Sequence, residues 1–149
     1  MLATYRTLKD QEFAAALQLR ISVFVDEQKV PLEEEHDSFD QVAQHFGVFV
    51  EGRLVGTGRL VREDNLGRIG RLAILPKFRG LRLGSGLVSF IVETGKHQGI
   101  GEFVLGAQLQ AIPFYEQLGF TAEGEVFQDG GIPHRTMRYV ISDCKEVKK

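Results

Sequence analysis

The apolar residues of this chain fall into short runs of period two, separated by stretches of period three to four, which is the mark of alternating strands and helices. "ATYRTL", residues 3–8, reads as a first strand. Asp10 stands where it would cap a helix through "QEFAAALQLRISVFV", in which Phe13, Leu17, Ile21 and Phe24 recur at helical spacing. "DEQKVPLEEEHDSFD" reads as a polar, acidic loop with room for a short helix. In "QHFGVFV", Phe46, Val48 and Val50 alternate with His45, Gly47 and Phe49, and "EGR" is a hairpin signal. "LVGTGRLVR" and "RIGRLAIL" continue the meander across the turn "EDNLG", until Pro76 stops it. A helix starting at Leu83 carries Leu83, Leu87, Val88, Ile91 and Val92 on one stripe and ends at Gly99. "EFVLGA" is a buried strand. "AIPFYEQL" is a short helix, with Pro113 in its first turn and Gly119 beyond its end. "TAEGEVF" and "HRTMRYVI" are the last two strands.

This order predicts an α/β domain with a mixed, mostly antiparallel sheet flanked by helices. The helix from Leu83 is its one parallel crossover, expected to be right-handed. The 149 residues suit one domain, taken as 1–143, followed by a polar tail, 144–149. A net charge of -2 gives no general attraction for nucleic acid or acidic membrane, and no apolar run approaches the length of a membrane span. The single cysteine, Cys144, cannot form an internal disulfide, so a cytoplasmic setting is expected. His36, His45, His97 and His134 are scattered, and no Cys/His cluster has metal-ligand spacing; they read as polar surface or hydrogen-bonding residues, with no metal expected.

The chemistry concentrates in "PKFRGLRLGSGLVSF". Between Arg79 and Gly86 stand three glycines and two arginines, after a strand and at the start of a helix. A helix N-terminus offers unpaired N–H groups and a partial positive charge, glycine lets a ligand approach the backbone, and guanidinium suits phosphate oxygens. A pyrophosphate is the natural guest; the plainer alternative is a strand-to-helix turn with solvated arginines. Three nucleotide sites compete. The P-loop fails because Gly95-Lys96 is followed by His97 in mid-helix. The dinucleotide fingerprint fails because Ser89 occupies its third glycine. Coenzyme A is the third option.

"RLAILPKFRGLRLGSGL" resembles the acetyl-CoA motif of the GNAT superfamily of N-acetyltransferases, and "AIPFYEQLGF" resembles its second signature. Together, "FVDEQKVPLEEEHDSFD", "VGTGRL", "GRLAILPKFRG" and "GGIPHRTMR" resemble the YjcF/ElaA-like branch of that superfamily, over roughly residues 10 to 140. The resemblance implies the GNAT fold and acetyl transfer from acetyl-CoA to an amine, with no metal. It implies that pantetheine lies along Leu72, Ala73 and Ile74, with a backbone N–H near Ile74 polarising the thioester. It further implies that pyrophosphate rests on the N–H groups of Gly80, Leu81, Arg82, Leu83, Gly84 and Ser85, beside Arg79. Tyr115 matches the family's tyrosine that serves the leaving thiolate. On the helix it occupies, Phe114 and Leu118 are expected to pack inward. Arg82 replaces the motif's usual first glycine and is expected to take the dihedrals of a helical first turn. Gly106 stands where relatives often carry asparagine.

The general base is open. Phe103 occupies the position where some relatives place a glutamate, and Glu102 faces the other way. Glu33, Glu34, Glu35, His45, His134 and a water chain are the candidates, against a plainer reading of the glutamates as a solvated acidic run and of the histidines as structural. Arg59, unusual in a central strand, is expected to pair with the acidic loop. That loop favours a cationic amine, and the resemblance implies a small-molecule acceptor rather than a protein or peptide. A homodimer is a candidate assembly. The rival to an enzyme is a non-catalytic acyl-CoA-binding sensor, which needs the loop but not Tyr115.

Overall fold

The computed structural model describes residues 2–35 and 37–141. His36, Cys144 and the tail 144–149 lie outside the described residues, as does the expected domain boundary. Seven strands form one sheet: β1 (Ala3–Thr7), β2 (Gln44–Val50), β3 (Arg53–Glu63), β4 (Leu66–Ile74), β5 (Glu102–Gln108), β6 (Thr121–Asp129) and β7 (Ile132–Val140). Their order across the sheet is β1-β2-β3-β4-β5-β7-β6. Only β4 and β5 run parallel; the rest is antiparallel. The turn after β2 has Glu51 and Gly52 at positive φ, the twist a tight hairpin needs.

The crossover helix between β4 and β5, α3 (Leu83–His97), buries the expected stripe. Leu87, Val88, Ile91 and Val92 pack with Phe46, Leu60, Ile69 and Phe103 in the main core. Gly86 lets this helix sit on β1, because a Cβ there would collide with the Tyr5 hydroxyl.

The N-terminal helix departs from expectation. Asp10 does not cap it; a 3₁₀ turn, Asp10–Glu12, precedes α1 (Phe13–Arg20), with Lys9 in the capping position. The chain then widens into a π-helical stretch, Ile21–Glu27. The buried face is Ala16, Leu19, Arg20 and Val23, not Phe13, Leu17, Ile21 and Phe24. Three of these four residues precede the π-helical stretch, so the face is set by its contacts: it is organised around the Arg20 guanidinium, which reaches Glu35 and Asp40. The acidic segment is not simply solvated either. It contains a single helical turn, α2 (Leu32–Glu35), and a 3₁₀ turn, Ser38–Gln41, and it buries Glu35 and Asp40.

Candidate functional site

β4 and β5 pair only from Leu66 to Arg68 against Glu102 to Val104, and then diverge. The cause lies on the other side of β4. Its register with β3 slips between Thr57 and Arg59, leaving Arg71 as an extra residue at φ 51. A bulge of this kind bends and twists its strand. The Arg71 side chain is tied down: it donates to the carbonyls of Glu35 (3.0 Å) and Glu34 (3.2 Å) and to the Asp37 carboxylate (3.1 Å). Beyond the bulge, Leu75 N–H donates to the Val55 carbonyl, 2.9 Å away. Alternation then turns the amides of Ala73 toward β3 and those of Leu72 and Ile74 toward the gap.

At the end of β4 the chain makes a 3₁₀ turn, Pro76–Phe78, and enters the glycine-rich loop. Gly80 lies at φ 78 and Arg82 at φ 66. The expectation for Arg82 is therefore corrected: it sits in the left-handed region, not in a helical first turn, just where the usual glycine would be unstrained. Among the described residues, no backbone carbonyl accepts from the N–H groups of residues 80 to 85. The Leu83 side chain belongs to the core, so its backbone alone faces the loop. Arg82 is exposed and has no ion-pair partner among the described residues. Arg79 has two. It donates to both Glu27 oxygens (2.7 and 2.8 Å) and to the Ile74 carbonyl (2.8 Å), which fastens the loop to the π-helical segment.

The gap opens into a cavity of about 470 Å³, whose lining includes Leu72, Arg71, Glu35, Gly106, Tyr115 and His134. Tyr115 comes from α4 (Ile112–Gln117), which follows a 3₁₀ turn, Leu109–Ala111. That turn sets the phase of the helix. Tyr115 and Leu118 pack on the core while Phe114 is left 37% exposed, so Phe114 does not pack inward as expected. Tyr115 meets Phe114 and Phe120 edge-on, at 4.9 and 6.0 Å between ring centroids. Burial pushes its hydroxyl up to about 12.

Beneath the cavity lies a closed set of three arginines and three carboxylates. Arg20 binds Glu35 (2.6 Å) and Asp40 (2.8 Å), Arg59 binds Asp37 (2.7 Å) and Asp40 (2.8 Å), and Arg71 closes onto Asp37. The expected pairing of Arg59 with the acidic loop is present. Burial by itself would raise the Asp40 carboxyl; hydrogen bonds and charge from Arg20 and then Arg59 outweigh it and hold it at about 2. The Arg59 hydrogen bonds likewise hold Asp37 below its usual value. Burial, reinforced by Arg59, lowers Arg71.

The base candidates separate. Glu33 and Glu34 are exposed. Glu35 is committed to Arg20, and its Oε1 is fully buried without a partner. His45 packs on Phe13 and bonds the Asp40 carbonyl through Nε2 (3.0 Å), a structural arrangement. Glu102 pairs with Arg138, and Phe103 is core. His134 alone among the candidate histidines lines the cavity. Arg71 escaped the sequence reading; a second arginine in one strand, set next to Gly70 and the apolar Leu72–Ile74 run, was the available signal.

Comparison with known proteins gives a consistent result. The profile of the acetyltransferase (GNAT) domain matches residues 6–141. The N-acetyltransferase YjcF of Bacillus subtilis is 34% identical over 129 residues, 86% of this chain and 92% of its own. The crystal structure of Escherichia coli ElaA superimposes with a TM-score of 0.83 at 30% identity, covering 93% of this chain and 99% of that one. An acyl-CoA N-acyltransferase from Pseudomonas aeruginosa does so with a TM-score of 0.82 at 31% identity and the same coverage.

Proposed function

This chain belongs to the GNAT acetyltransferase family, and we propose that it moves an acetyl group from acetyl-CoA directly to an amine of a small-molecule acceptor. The observation that carries the reading is the open edge of β4. Its Leu72 and Ile74 N–H groups, without a backbone partner among the described residues, run from an anion-binding loop at one end to the cavity holding Tyr115 at the other. Buried or half-buried amides need partners, and an extended pantetheine supplies them as a further strand would.

In this reading the N–H groups of Gly80 to Ser85 take the pyrophosphate, and the unpaired Arg82 guanidinium reaches its oxygens. Arg79 acts mainly by holding the loop, since its fork is filled by Glu27. At the cavity an outward N–H of β4 polarises the thioester carbonyl as charge grows on its oxygen. Leu72 lines the cavity and Ile74 does not, so Leu72 is the better placed. The amine nitrogen forms its bond to the acetyl carbon, the carbon–sulfur bond breaks, and the sulfur leaves with the bonding pair. Tyr115 has a specific part here. A thiol titrates near ~8.5, well below the value of about 12 to which burial pushes this hydroxyl. Tyr115 therefore keeps its proton and donates a hydrogen bond to the departing thiolate.

The test is acetyl-CoA turnover across a panel of amines, read as free thiol and as N-acetyl product. Amine-dependent thiol release supports the reading. Binding of acetyl-CoA without turnover of any amine overturns it.

A further inference from the structure

The proton that the acceptor amine must lose has no assigned destination, and the cavity contains a group built to receive it. We propose that Nε2 of His134 is the general base of this site; the assignment rests on the acetyl-transfer reading above. His134 lies on β7, between Gln108 of β5 and Phe127 of β6. Its Nδ1 is 2.6 Å from the Ile132 carbonyl oxygen. A carbonyl can only accept, so Nδ1 carries the hydrogen, and Nε2 of the neutral ring presents a lone pair.

That lone pair is reachable. The residue is only 8% exposed, and it lines the cavity. Nε2 has no protein partner among the described residues, yet among them the only fully buried side-chain polar atom lacking one is Glu35 Oε1. Nε2 is therefore open to the cavity. The ring is held in place by stacking on Phe127, at 5.8 Å and 25°. Gly106 on the neighbouring strand accommodates Phe127, the stacking partner: a Cβ there would stand 3.2 Å from that ring.

The competing groups are spent or misplaced. Asp37 and Asp40 are consumed by arginines. Glu35 offers no reachable oxygen. Glu34 and Asp129 line the cavity but are exposed carboxylates at its rim. Tyr115 holds its proton. An imidazole is the side chain whose intrinsic basicity lies nearest neutral pH, the best match for accepting a proton as an amine is acylated. The step balances. As the C–N bond forms and the C–S bond breaks, one amine proton passes to Nε2. The sulfur leaves as a thiolate hydrogen-bonded by Tyr115. The imidazolium then gives its proton to the thiolate or to water, which resets the site.

The experiment compares wild type, His134→Gln and His134→Ala on the best amine of the panel, with calorimetric binding of acetyl-CoA as a check on folding. Expected is a fall in kcat of roughly 100- to 10,000-fold in both variants, the range for a general base, with acetyl-CoA affinity nearly unchanged. Added imidazole should partly restore the Ala variant in a saturable manner, where equal ionic strength of sodium chloride does not. A Gln variant as fast as wild type overturns the assignment while leaving the transfer reading standing. A loss confined to KM for the amine overturns it as well, and makes His134 a binding contact. A wild type that acetylates no amine overturns the transfer reading and this assignment together.

Discussion

Replacing Arg82 by glycine should move stability and ligand affinity in opposite directions. Arg82 stands at φ 66, ψ 15, immediately before α3. A left-handed residue with a Cβ costs about 1–2 kcal/mol relative to its right-handed form. Glycine removes that cost but brings greater freedom to the unfolded chain, worth about 0.4–1 kcal/mol. The net expectation is a stabilisation of up to about 1 kcal/mol, which for a domain of this size raises Tm by roughly 2–4 °C. The binding effect has the other sign. A charge-assisted hydrogen bond contributes about 1.5–3 kcal/mol, and exposure of this arginine places it at the lower end, so CoA should bind roughly 10-fold more weakly. Thermal unfolding without ligand and calorimetric titration with CoA at two salt concentrations read both quantities. The salt dependence of CoA binding should also fall in the variant. A lower Tm in the glycine variant would show that the backbone at 82 is not strained. Unchanged CoA affinity would remove Arg82 from the phosphate site.

Gly84→Val should weaken CoA binding more than Arg82→Gly does while leaving the fold intact, because a Cβ at 84 meets only Phe114 at 3.5 Å and Ile74 at 3.9 Å; equal or tighter binding in the valine variant refutes the backbone approach at this position. Tyr115→Phe keeps the packing against Phe120 and deletes one hydrogen bond to the thiolate, so kcat should fall roughly 10- to 100-fold with acetyl-CoA affinity unchanged; a normal kcat would leave the thiolate to solvent. Since burial holds that hydroxyl at about 12, no loss of activity from its ionisation should appear below pH 10. Asp40 is depressed from 3.8 to about 2, so its stabilisation, roughly 2 kcal/mol by linkage, is present above pH 4 and lost as pH falls toward 2. Urea midpoints between pH 5 and 2 should fall further for wild type than for Asp40→Asn, and parallel curves would contradict the pairing.

Strand order was legible because alternation is local, and Phe46, Val48 and Val50 face the core as their spacing says. The glycine-rich loop between β4 and α3 was legible for the same reason: its glycines and arginines are contiguous. What was hidden depends on residues distant in sequence or on local changes of helical pitch. Nothing near Glu35 or Asp40 announces that Arg20, 15 and 20 residues away, will bury them. The buried Arg20 and its carboxylates select the face of α1, and one 3₁₀ turn precedes the helix in which Tyr115 rather than Phe114 points inward. Arg59 was read correctly because a charge inside an apolar strand demands a partner, and the acidic loop was the nearest supply. The site tyrosine came from a motif, but its value of about 12, which separates hydrogen bonding from proton transfer, follows only from its burial.

The ionic cluster under the cavity fits a role in geometry better than one in stability. A buried ion pair recovers little more than its own desolvation cost, and apolar residues of similar volume often do as well. Apolar replacements would not, however, hold Arg71. This residue occupies the bulge of β4 at φ 51, and its side chain is bound by two carbonyls and a carboxylate of the acidic segment. The same segment is anchored to α1 through Arg20 and to β3 through Arg59. Three elements thus converge on the residue at which β4 turns from β5, near the start of its open edge. A bulge with an arginine in the left-handed region is strained, and such strain persists only where its surroundings over-determine it. The arginine–carboxylate network supplies that determination and so fixes the point at which β4 and β5 part.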